Sequence, residues 1–117
     1  MRITLCFAAT VALMVSSAAA AQEAEIGYPA GSLGYQALIN GDYATAEKQI
    51  LAGRVGKYDP ARALNLGLIL ARTGRADEAA VQFRRVLLHE DVELILGNGE
   101  SMSSHAAARA GLDSLRR

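Results

Sequence analysis

His89 and His105 are the only two histidines in this chain of 117 residues, and carboxylates gather beside the first of them at Glu90, Asp91 and Glu93. Imidazole nitrogens and carboxylate oxygens are the usual donors of a zinc site. His89, Glu90 and His105 therefore form a candidate ligand set if a turn brings them together, although neighbouring residues on a helix point apart. Ser103, Ser104, His105 and Asp113 contain the residue types of a hydrolase triad. A serine next to its own histidine at a helix start is better placed to cap the helix than to attack a substrate. Gly97-Asn98-Gly99 has the composition of a phosphate loop, but no lysine follows and the turn leads into a strand, so the P-loop context fails.

The rest of the chain must position any such chemistry. Arg2 is followed by an apolar and small stretch from Ile3 to Val15, then by Ser16, Ser17 and an alanine run, which is the layout of a secretory signal over residues 1–21. Small residues at Ala19 and Ala21 predict cleavage before Gln22, with cleavage before Ala21 as the second choice. A retained membrane anchor is the competing reading, but a span needs about 20 apolar residues and this core is shorter. Cys6 is the only cysteine and lies inside that leader, so the processed chain would have no disulfide, thiol nucleophile or cysteine-bound zinc. Twelve basic residues balance twelve acidic ones, and removal of Arg2 leaves a slight negative excess. No nucleic-acid footprint follows from that balance. Arg84-Arg85 and Arg116-Arg117 read as solvated helix ends.

An internal repeat organises the middle of the chain. Gly34 and Gly67, Gly41 and Gly74, Ala46 and Ala79, and Ile50 and Phe83 all align at one offset of 33 residues. Leu33 with Leu66 and Leu38 with Ala71 fit the same offset. Physical reasons can be given for each position. Gly41 and Gly74 end a first helix, where a left-handed backbone suits glycine. Asp42 and Thr73 offer side-chain oxygens to the unpaired amides of the next helix. Ala46 and Ala79 allow two helix axes to approach closely, and Gly34 and Gly67 supply the small surface opposite. A glycine inside a helix costs about 1 kcal/mol relative to alanine, so its recurrence points to a packing need.

These residues resemble the tetratricopeptide repeat, whose pattern runs from a large residue through Leu-Gly to a later alanine, an aromatic and a closing proline. The first copy reads Ala30, Leu33-Gly34, Ala37, Ala46, Ile50 and the second Ala63, Leu66-Gly67, Leu70, Ala79, Phe83. The departures are two lost aromatics, a spacing one residue short, and a proline, Pro60, that comes late after the first copy and is absent after the second. The resemblance implies a mainly α fold of helical-hairpin repeats in an α-α superhelix, with two helix pairs over residues 32–90 after an extended segment at 22–31. Helices are expected from Ser32 to Asn40, Tyr43 to Ala52, about Pro60 onward, and Ala76 to Leu88.

After His89 the apolar period changes. Val92, Leu94 and Leu96 alternate with Glu93 and Ile95, and the Gly-Asn-Gly centre favours a turn, which predicts a small β-hairpin at 91–103. A three-residue loop places Met102 on the face of Leu94. An isolated hairpin is marginal in water, so this one must rest on the helices. Ser103 or Ser104 can cap a last helix from His105 to Leu115, the core of a capping element at 104–117. Repeat arrays need three or more units or a cap, and this helix is expected to take the place of a third repeat's first helix.

The resemblance also implies where binding would occur. In that family the first helices of each pair line a groove that holds a peptide or protein, which makes Tyr35, Leu38, Ile39, Leu64, Asn65, Leu68 and Arg72 the candidate contacts. Tyr35 and Arg72 stand out because tyrosine and arginine are enriched in binding hot spots. Asn65 falls where some members hold a ligand's terminal carboxylate, but Gly31 and Tyr35 occupy the accompanying clamp positions, so that ligand is not implied. Leu38, Leu64 and Leu68 can equally be covered by the amino-terminal segment, the last helix or a second copy. The reading adopted is a non-catalytic exported module, periplasmic or secreted, that binds a protein, a peptide or its own twin, with no nucleic acid, no membrane after leader cleavage, and no cofactor or metal. The alternative is a small hydrolase or metal-dependent enzyme using the His89 to His105 region.

Overall fold

The computed structural model describes residues 28–29, 31–96 and 99–117. The expected leader, its expected cleavage sites and most of the 22–31 segment lie outside those residues. Among the described residues the elements run α1 (Tyr35–Ile39), α2 (Tyr43–Ala52), α3 (Pro60–Arg72), α4 (Ala76–Leu87), β1 (Glu93–Ile95), β2 (Ser101–Ser103) and α5 (Ser104–Leu115). The fold is mainly helical with one small antiparallel sheet.

The glycine turns close as their spacing predicts. Gly41 and Gly74 have φ of 76° and 81°, a left-handed conformation that a Cβ would strain. Beyond each glycine the chain folds back in the same way. The Asp42 amide donates to the Ala37 carbonyl at 2.9 Å, and the Arg75 amide donates to the Leu70 carbonyl at 2.8 Å. Donors and acceptors are both displaced by the repeat offset. The capping expectation holds for one of the two helix starts. Asp42 accepts from the Thr45 amide at 3.2 Å, but Thr73 faces backwards and donates to the Ile69 carbonyl at 2.9 Å. The residue equivalent to Asp42 is Arg75, whose side chain provides no cap for α4.

Helix α1 is shorter than expected, because Gly34 lies before it with φ of 64° and is not inside a helix. Its smallness is needed for contact all the same. A Cβ there would meet the Ala46 carbonyl oxygen at 2.8 Å, so α2 crosses the chain just ahead of α1 at backbone distance. The second copy makes its close approach differently. A Cβ on Gly67 would lie 2.6 Å from the Phe83 ring, and one on Gly111 of α5 would also lie 2.6 Å from it. Phe83, fully buried, is thus held between glycines of α3 and α5.

Pro60 opens α3 where its missing amide needs no partner, and Asp59 caps it, accepting from the Ala61 and Arg62 amides at 2.9 and 3.2 Å. Every residue from Ala63 to Leu70 is buried, so α3 is the central element. Alternation sets the hairpin register: Leu94 pairs with Met102 and both pack on the helical core, while Ile95 faces out. The Leu96 amide donates to the Glu100 carbonyl at 2.7 Å, which leaves a three-residue loop. Ser103 caps α5 by accepting from the Ala106 amide. Ala107 and Ala108 join the same core as Phe83 and Val86.

Candidate interaction surfaces

The seven residues expected to line a groove do not form an open one. Tyr35 is 1% exposed and Asn65 2%, and Leu38, Leu64 and Leu68 are buried members of the core. Residues 63–70 of helix α3 are buried on every side, which withdraws these leucines from the surface. The Asn65 side-chain amide donates to the Leu33 carbonyl at 3.0 Å, so its polarity stabilises the turn before α1. Ile39 is half-buried. Arg72 alone is exposed, and its guanidinium donates to the Tyr43 hydroxyl at 2.9 Å. Tyr35 and Arg72 therefore do not present a joint surface.

The His89 to His105 region has a different arrangement from either enzyme-like constellation. The His105 Nε2 contacts the His89 carbonyl at 2.6 Å; a carbonyl can only accept, so Nε2 carries the proton. The His89 ring meets the Tyr58 ring edge-on, with centroids 5.0 Å apart. No group of three metal-ligating side chains is brought together among the described residues. Ser104 is fully buried; its hydroxyl accepts from the Val92 amide at 3.0 Å and donates to Asp91 at 3.3 Å. Asp91 also accepts from the His105 amide at 3.0 Å. That amide, with help from neighbouring serine hydroxyls, holds the Asp91 carboxyl below the usual carboxylate range. The serines and Asp91 thus fasten the hairpin to the start of α5, and Ser103 is engaged in its cap.

A surface cluster that the sequence pattern did not single out lies where the α2–α3 loop meets the end of α4. Tyr58 is 56% exposed. The Lys57 ammonium lies 5.5 Å from the centre of its ring and the Arg85 guanidinium 5.7 Å, within the range of cation–π attraction. The His89 ring adds its edge contact, and Leu88, just before it in the chain, is 80% exposed. Neither Lys57 nor Arg85 has a carboxylate partner among the described residues. The available signal was a tyrosine next to a lysine in the loop 54–59, and Arg85 read by itself as a solvated helix end. No family model matches the chain, and no curated protein or solved structure matches it either.

Proposed function

We propose that this chain is a non-catalytic, exported protein-interaction module built on two tetratricopeptide-like helix pairs, with α5 standing in for the first helix of a third. The observation that carries the reading is the duplicated turn. Two helix pairs use a left-handed glycine and the same fold-back hydrogen bond at the offset read from the sequence, and Gly111 approaches Phe83 as closely as Gly67 does. Stacked helix pairs give extended surfaces whose usual employment is holding other chains. The serines and histidines nearest to an enzyme-like arrangement are engaged in caps and backbone contacts, which supports binding over catalysis. Because Leu38, Leu64 and Leu68 are buried, the module makes contact through its exposed residues and not through those leucines.

Crosslinking the protein in its own cell envelope, followed by mass spectrometry, tests the reading. The expected result is one recurrent protein partner, or the protein itself, crosslinked at defined residues. A zinc-dependent rise in melting temperature, or ester turnover that disappears in His89→Ala and His105→Ala, would overturn it in favour of an enzyme.

A further inference from the structure

We propose that Lys57, Tyr58, Arg85 and Leu88 form a docking patch for an acidic segment of a partner protein, a proposal that rests on the interaction-module reading above. Two cations that have no carboxylate partner among the described residues lie over one exposed phenol ring. Loop and helix supply one each, so the patch exists only in the folded chain. The ring attracts both charges through its quadrupole, and Arg85 also donates to the Gln82 side chain at 3.4 Å. A carboxylate arriving beside the ring meets a cationic donor from the loop and another from the helix, and an arginine fork suits a carboxylate. Leu88, three residues after Arg85 in the chain and 80% exposed, adds apolar surface, and tyrosine and arginine are residue types enriched in hot spots.

Charge decides among anionic partners. An anionic membrane is recognised by clusters of about four to eight Lys and Arg, whereas this patch has two and is followed directly by exposed Glu90 and Asp91. A flat negative surface would meet those carboxylates as well as the cations. A narrow side-chain carboxylate would not. Balanced charge over the chain likewise provides no track for a nucleic-acid backbone.

The test uses the protein as its own cells process it and a fluorescent peptide of alternating glutamate and leucine, read by anisotropy. The peptide is expected to bind with an affinity that falls as salt rises, and Lys57→Glu combined with Arg85→Glu should weaken binding about tenfold or more. Reversing Arg116 and Arg117 to glutamate makes the same change in net charge and should leave affinity within about twofold. Circular-dichroism melting of each variant verifies that it is folded. A lysine-leucine peptide that binds equally well, phosphatidylserine vesicles that bind when the acidic peptide does not, or an unchanged affinity in the doubly reversed variant would each overturn the proposal. If the doubly reversed variant still crosslinks to the partner of the unaltered protein at the same residues, the patch fails while the module reading survives.

Discussion

Phe83 is the residue on which the helical packing turns, because its ring fills the space left by two glycines on different helices. Two effects of opposite sign meet in Gly67→Ala. Alanine favours a helix interior by about 1 kcal/mol, while overpacking a filled core costs about 1–3 kcal/mol. The ring is fully buried and backed by Gly111, so it has little room to retreat and the clash should prevail. Gly67→Ala is expected to lower stability by about 1 kcal/mol, roughly a 4–8 °C fall in melting temperature for a domain of this size, and by less in a Phe83→Leu background. Equal losses in the two backgrounds would show that the ring is not what the new methyl meets. Asp59 is a second node. It caps α3 and accepts from the Tyr28 hydroxyl at 3.1 Å. Burial first, and then the Asp59 charge and hydrogen bond, push the Tyr28 hydroxyl up to about 12 from 10.0. Since the folded value is the raised one, this contribution is complete below pH 10 and is lost as pH rises from there towards 12. Alkaline melting curves should therefore fall more steeply for the unaltered protein than for Tyr28→Phe over that window.

At the scale of elements, the hairpin is attached to α5 by polar contacts as well as by the Leu94 and Met102 side chains. The carboxyl of Asp91 is lowered chiefly by the His105 amide. A group with a depressed folded value stabilises above its unfolded value, and that contribution disappears as pH falls through the folded one. The melting-temperature gap between the unaltered protein and Asp91→Ala should thus be present at neutral pH and close at strongly acidic pH. A gap that persists in acid would assign the effect of Asp91 to something other than its charge. The helix starts show how far capping could be read. Asp42 is legible as a cap because cap and turn coincide in sequence, whereas Thr73 does not cap α4 because two residues of turn separate them and Arg75 holds the position equivalent to Asp42. Arg75 instead crosses to α2, donating to Glu47 at 3.0 Å, and this contact lowers the Glu47 carboxyl.

For the whole molecule, α3 is the hub and α5 completes its enclosure. Ala107, Ala108 and Gly111 of α5 are buried against the core that contains Phe83. A chain ending at residue 90 would leave that ring open on one side and remove the partner surface of α4. Deletion of 91–117 is expected to abolish cooperative thermal unfolding, measured by calorimetry or by coincident spectroscopic transitions. A sharp transition in the shortened chain would show that the two helix pairs close their own core.

The sequence by itself determined the turns, the offset between the helix pairs, the small positions and the hairpin register. Each of these depends on backbone conformation or spacing within a few residues, and glycine, proline and alternation record such demands directly. It did not determine that Tyr35, Asn65 and the three groove leucines would be buried, nor that Tyr58 would gather Lys57, Arg85 and His89 around it. Burial is the summed occupancy of neighbours contributed by distant parts of the chain, and a surface cluster is a meeting of elements. An apolar stripe has the same pattern whether another helix, a partner or water lies against it, so only the tertiary arrangement could decide which face remained open.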